Sequence, residues 1–109
     1  MIARVWAGAV KRDDGDAYAD YMSATGIPGY RNTPGNVGAF MLRREASGLC
    51  EFVMLSLWES MSSIEAFTGE QPDKAVFYPE DDRFLVQRDL TVRHYEVDPR
   101  SSWLRDPLR

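Results

Sequence analysis

The sequence predicts an α+β protein of ferredoxin-like βαββαβ order. Its antiparallel sheet carries both helices on one face, and a second copy is expected to pack face to face as a two-fold dimer. Three observations carry this reading. Strand-like runs open and close the 109-residue chain around a central hairpin. Two segments with helical spacing separate them. The hairpin strands, which should alternate apolar and polar residues if one face met water, are apolar on both sides.

Residues 2–10 are rich in apolar and small residues and read as the first strand. "RDDGD" (residues 12–16) is a turn that also supplies helix caps. Ala17, Tyr18, Tyr21 and Met22 then recur at helical spacing. The helix is expected to fail near Gly26, because Pro28 disfavours a helical residue before it, so residues 26–36 read as a loop. Residues 37–45 and 49–59 are the hairpin strands, joined by a tight turn in "EASG". The second helix starts at Ser60, Ser62 or Ser63. Ser62 with Glu65 fits a capping box, and Ile64 and Phe67 face inward. Residues 73–85 read as a short helix interrupted by Pro79, then an irregular piece. Residues 91–97 form the last strand. The domain therefore spans residues 1–97 and a proline-containing tail spans 98–109. Trp103 and Leu104 are the tail's sizeable apolar anchors, and they are expected to dock, on the partner subunit. Right-handed crossovers place both helices on one side of the sheet.

In the third strand one face carries Val53, Leu55 and Leu57, and the other carries Cys50, Phe52, Met54, Ser56 and Trp58. The Cys50–Trp58 side is too apolar for water, so a second copy is expected to cover it as a two-fold homodimer. A net charge of −4, with no clustered Lys and Arg, excludes a nucleic-acid backbone binder. No apolar run is long enough to span a membrane. The N-terminus lacks the form of a signal peptide, and the single cysteine, Cys50, cannot pair internally, so a cytoplasmic location is expected.

The "SLWES" strand end, the "xxIxAF" helix and the closing "VRHYEV" strand resemble the antibiotic biosynthesis monooxygenase superfamily over residues 1–97. The resemblance implies dimeric α+β barrels, among them cofactor-independent oxygenases and haem-degrading enzymes. The haem-degrading branch uses an asparagine on the first strand, a tryptophan ending the third and a histidine on the second helix. Trp58 matches the tryptophan, Trp6 stands at the asparagine position, and the second helix holds no histidine. The expected function is therefore a cofactor-independent monooxygenase acting on an aromatic or polyketide-like molecule in an apolar pocket. Two alternatives accompany it: a non-catalytic small-molecule binder, and a haem protein using His94 or Tyr78 as ligand.

His94, the single histidine, is the candidate catalytic base that would deprotonate a phenolic or enolic substrate. Trp58 either packs a core or lines the pocket, with its indole N–H available to a carbonyl or phenolate. Phe52 and Met54, on the same side of the strand, are expected to line the pocket with it. Arg4 and Trp6 share a face of the first strand. Arg4 either holds a substrate oxyanion or pairs with Glu96. Tyr78 either closes the pocket or packs against Phe84. The run Glu80–Asp81–Asp82 reads as a solvated turn. One His and one Cys give no transition-metal constellation.

Overall fold

A computed structural model describes residues 1–101 and 103. Strand β1 (Ile2–Lys11) leads through a 3-10 turn (Arg12–Asp14) into α1 (Gly15–Ala24) and α2 (Gly26–Arg31). The hairpin β2 (Asn36–Ala46) and β3 (Leu49–Trp58) follows, then α3 (Met61–Thr68), α4 (Asp81–Phe84), β4 (Leu85–Arg88) and β5 (Arg93–Glu96). The sheet is antiparallel throughout, in the order β2-β3-β1-β4, and β5 also pairs with β1. This is the expected ferredoxin-like α+β architecture, with the last strand split. β4 pairs with the Gly8–Val10 end of β1, and β5 with its Ile2–Val5 end.

Tyr18 and Met22, one helical turn apart, bury the inner face of α1 as their spacing predicts. The expected loop after Gly26 is instead the helix α2. Pro28 is tolerated because it stands in the first turn, where a backbone N–H has no intrahelical acceptor to lose. The helix carries Tyr30 into the core. The hairpin turn is Ser47–Gly48, both with positive φ (53° and 77°), the conformation that matches strand twist in a two-residue loop. The cap of α3 is Ser60, whose Oγ accepts from the Ser63 N–H at 3.2 Å, and not Ser62. The helix predicted within 73–85 forms only over its final residues, as α4. Residues 69–80 run as an irregular strap pinned to the sheet: Ala75 N–H donates to Leu90 O at 3.0 Å and Val92 N–H to Asp73 O at 2.8 Å.

The helices cover the side of β3 that carries Cys50, Phe52, Met54, Ser56 and Trp58, all buried within the chain itself. The expectation that a second copy covers this side is corrected. Its apolar residues serve the chain's own core, with Ile64, Tyr18 and Phe84 packed over them. The uncovered side carries Val53, Leu55 and Leu57, flanked in register by Val5 and Ala7 of β1 and by Phe40 and Leu42 of β2. These residues are half-buried, with Leu42 and, on β5, Tyr95 exposed. Among the described residues, no helix is long and apolar enough to cross a membrane. Trp103 is largely exposed, and the expected docking of Leu104 lies outside the described residues.

Candidate functional site

The first strand places Arg4 and Trp6 on the helical face of the sheet, opposite Ser56 and Met54. Arg4 is 97% buried, an unusual position for a guanidinium, because a buried charge loses its hydration. Nη1 donates to Pro72 O and Nη2 to Lys74 O at 3.0 Å, both on the strap. Nη1 also lies 3.1 Å from His94 Nε2 on the neighbouring strand. Arginine can only donate, so His94 Nε2 is the acceptor and its proton sits on Nδ1, which faces Asp73 Oδ1 at 3.4 Å. Burial, followed by the Arg4 charge, lowers the His94 pKa and favours this neutral ring. Burial likewise lowers that of Arg4, opposed by Tyr30 and Asp73. The expected alternative, an Arg4–Glu96 pair, does not form. Glu96 lies opposite Ile2, and His94 takes the place beside Arg4.

Beside Arg4 is a small, partly enclosed cavity between sheet, helices and strap. Its polar walls are Arg4, Tyr18, Tyr30, Tyr78 and Asp81, and its apolar walls include Trp6, Met54, Phe67 and Phe77. The free space is about 20 Å³, room for one water. Burial pushes the Tyr30 phenol up to about 12, against the pull of Arg4. Burial also raises Tyr18 and Tyr78, with Asp81 adding to both. All three are therefore neutral hydroxyls near pH 7.

Of the residues the sequence singles out, Arg4, Trp6, Met54 and Tyr78 line this cavity. Trp6 is held by its Nε1–H, which donates to Asp89 O at 2.8 Å, and by an edge contact with Phe77. Phe52, Trp58 and His94 do not line it. Phe52 packs edge-on against Tyr18, with ring centres 5.0 Å apart. Trp58 is fully buried one layer behind the wall, against Tyr30 and Phe67, and its indole N–H donates to Ser56 Oγ at 2.9 Å. His94 stands behind Arg4 with its acceptor nitrogen already used. Tyr78 does not stack on Phe84, which packs with Tyr18 and Tyr21. The Tyr78 hydroxyl instead closes on α2, where a Cβ at Gly29 would lie 2.6 Å from it.

Sequence reasoning missed Asp81 and Tyr30. Asp81 is 97% buried, not part of a solvated turn. Its Oδ2 accepts from the Tyr78 N–H at 2.6 Å, while Oδ1 has no hydrogen-bond partner. Burial raises its pKa, only partly opposed by the Tyr78 hydrogen bond and by Arg88.

A larger, shallow groove of about 430 Å³ lies toward the far end of β1, lined by Ala7, Leu42, Arg44, Val53 and Gln87 among others. Its apolar floor belongs to the uncovered sheet face. Charged side chains, among them Arg43, Glu51, Arg88 and Asp89, also line it.

The architecture is that of a ferredoxin-like subunit with a cleft between sheet and helices. No protein-family profile and no curated protein sequence matches the chain. Solved structures do match. A candidate antibiotic biosynthesis monooxygenase from Bacillus cereus superposes with a TM-score of 0.63 at 14% identity, over 89% of this chain and 94% of that one. An arginine-to-serine variant of MhuD, holding two manganese protoporphyrin IX molecules per active site, superposes at 0.60 and 20% identity over the same shares. Rv0793 from Mycobacterium tuberculosis superposes at 0.57 and 14% identity, over 94% of this chain and all of that one. The chain shares the fold of these three proteins.

Proposed function

We propose that the protein is a cofactor-independent monooxygenase acting on a small phenolic or enolic aromatic molecule, and that it works as a homodimer. The observation that carries this is Arg4: a buried cation at a cavity wall whose hydrogen-bond partners are two carbonyls and a neutral imidazole. Three of the five guanidinium N–H donors serve those partners, leaving two for a ligand oxygen. In a site of low polarity, such donors favour the anionic form of a phenol or enol, the electron-rich form that reacts with dioxygen. His94 supports this by fixing the guanidinium, as a positioning residue. Trp6, Phe67 and Phe77 give the aromatic body of the substrate its walls.

The homodimer is supported by the uncovered face around Val5, Phe40, Val53, Leu55 and Leu57, which a second copy would cover sheet to sheet. The cavity walls do not fit a porphyrin. No histidine lines the space, His94 Nε2 is engaged by Arg4, and Tyr78 is held as a neutral phenol. A non-catalytic binder would use the same cavity. The deciding experiment is oxygen uptake with a panel of polyhydroxylated naphthalenes and anthrones, in metal-free buffer. Uptake by the wild type that is lost in Arg4→Met supports the proposal. Tight binding of the same compounds without uptake makes the protein a binder.

A further inference from the structure

Asp81 is a buried acid that the reaction above does not use. It lies in the wall of the Arg4 cavity, at the start of α4, and one of its two oxygens is committed to the strap through the Tyr78 N–H. The other, Oδ1, is enclosed and accepts no hydrogen bond of normal geometry, with the Tyr18 phenol the donor nearest the carboxyl group. A buried carboxylate oxygen without a donor is costly, whereas a carboxyl proton on that oxygen turns it into a hydrogen-bond donor. Burial, the largest influence, and Asp82 beside it on α4 favour the neutral acid, against the Tyr18 phenol of α1, whose hydrogen bond favours the carboxylate. Arg88 from β4 is the one cation acting on it, and that residue is paired with Asp82 at 2.8 Å.

We infer that Asp81 is a second recognition point in this cavity, its Oδ1 hydroxyl donating to a neutral oxygen of the ligand while Arg4 holds an anionic one. This rests on the reading of the Arg4 cavity as the ligand site, and it narrows the ligand class to aromatic compounds with two oxygen functions, one acidic and one neutral. A phenolate bearing a ring carbonyl or hydroxyl has this pattern, as does a hydroxylated aromatic acid. A simple phenol or an alkyl-substituted arene does not. The rings of Trp6 and Phe77 serve either class, so they give affinity without this discrimination, which falls to Asp81.

The test compares benzoate, which has the acidic group alone, with the three hydroxybenzoate isomers, read by the intrinsic fluorescence of the cavity-wall Trp6. In the wild type the best isomer should bind roughly fivefold to tenfold more tightly than benzoate, the worth of one hydrogen bond. Asp81→Ala should remove that advantage and leave benzoate within about twofold. Asp81→Asn should keep it, because the amide can accept from the Tyr78 N–H and still donate to the ligand. As pH rises through the Asp81 pKa, the advantage should fade in the wild type and persist in Asp81→Asn. If Asp81→Ala fails to fold, the contrast in pH dependence decides. Arg4-dependent benzoate binding with no better isomer overturns the inference and spares the proposed site. So does an advantage that survives Asp81→Ala, or a pH dependence unchanged in Asp81→Asn. Absence of any binding, or binding indifferent to Arg4→Met, overturns the site itself and the inference with it.

Discussion

Leu55 sits at the centre of the uncovered sheet face, between Val5 of β1 and Phe40 of β2, and only partly shielded. Replacing it with Asp should leave the protomer folded, because the core lies on the opposite side of β3. The homodimer should fail. Full burial of a leucine is worth about 1.5–3 kcal/mol, and Leu55 has at most about a third of its surface left to bury. A two-fold interface contains each residue twice, so the loss is roughly 1–2 kcal/mol, and at 1.4 kcal/mol per tenfold this is roughly a fivefold to thirtyfold weaker association. Two carboxylates forced together in a dry interface add to it. Sedimentation velocity at micromolar concentration should show the wild type at twice the 12.4 kDa chain mass and the variant at the chain mass, with matching circular dichroism. A wild type that sediments as a monomer would refute the argument, as would a variant that stays dimeric. Met54→Asp is the opposite control: it places the charge in the core and should unfold the chain.

Arg4→Met should abolish binding of aromatic acids and speed amide exchange of Lys74 and Ala75, whose strap segment loses its charged anchor. Unchanged exchange there would show that the strap stands without Arg4. His94 has a folded-state pKa below its ordinary value, so the unfolded chain takes up the proton first. Stability is full above about pH 6.5, the unperturbed pKa, and falls as pH drops through that value toward the folded pKa. Urea titrations should show this fall in the wild type and its loss in His94→Gln, attributable because the chain has one histidine. Trp58→Ala should lower stability by about 3–5 kcal/mol, as expected for truncating a fully buried aromatic, while leaving the affinity of the folded fraction for aromatic acids within a few fold. A selective loss of binding without loss of stability would return Trp58 to the site.

The hairpin, α1 and α3 were legible because their signals are local: the period of Tyr18 and Met22, the Ser47–Gly48 turn, a serine cap before Ile64. The side of β3 that faces the helices was not. Periodicity divides Cys50–Trp58 from Val53–Leu57 but gives no sign of which set lies inward when both are apolar. Helix α2 was hidden by Pro28, whose cost depends on a position within the first turn that only the fold defines. β4 is too short for a pattern of its own and exists because β1 extends past β5. The site divided the same way. Arg4, Trp6 and Met54 follow from strand alternation once one of them is placed inward. Asp81 was lost because an acidic run normally marks solvent, and only the strap folding over α1 takes its middle residue out of water.

The cavity is partly enclosed and narrow, and its widening should set the rate of ligand entry. About 20 Å³ admits a water but not an aromatic ring, so a wall must move. Near the opening the strap is held by Arg4 at its root and by Asp81 beyond its tip, with Tyr78 between them. Tyr78 is partly exposed, and its hydroxyl end rests on α2 beside Gly29, a surface with no side chain to interlock. It is the wall that yields at least cost. Burying an aromatic side chain fully is worth about 1.5–3 kcal/mol, so swinging out a half-buried one costs roughly 1–1.5 kcal/mol. A protein whose binding-competent form is rare by that margin binds with its apparent affinity reduced by roughly fivefold to tenfold. Tyr78→Ala removes the gate while sparing the Tyr78 N–H bond to Asp81. Stopped-flow fluorescence should then show association of a hydroxybenzoate accelerated by about that factor, with dissociation faster as well. An unchanged association rate would mean that the ligand enters elsewhere, between α2 and α3. A slower one would mean that Tyr78 guides the ligand and does not block it.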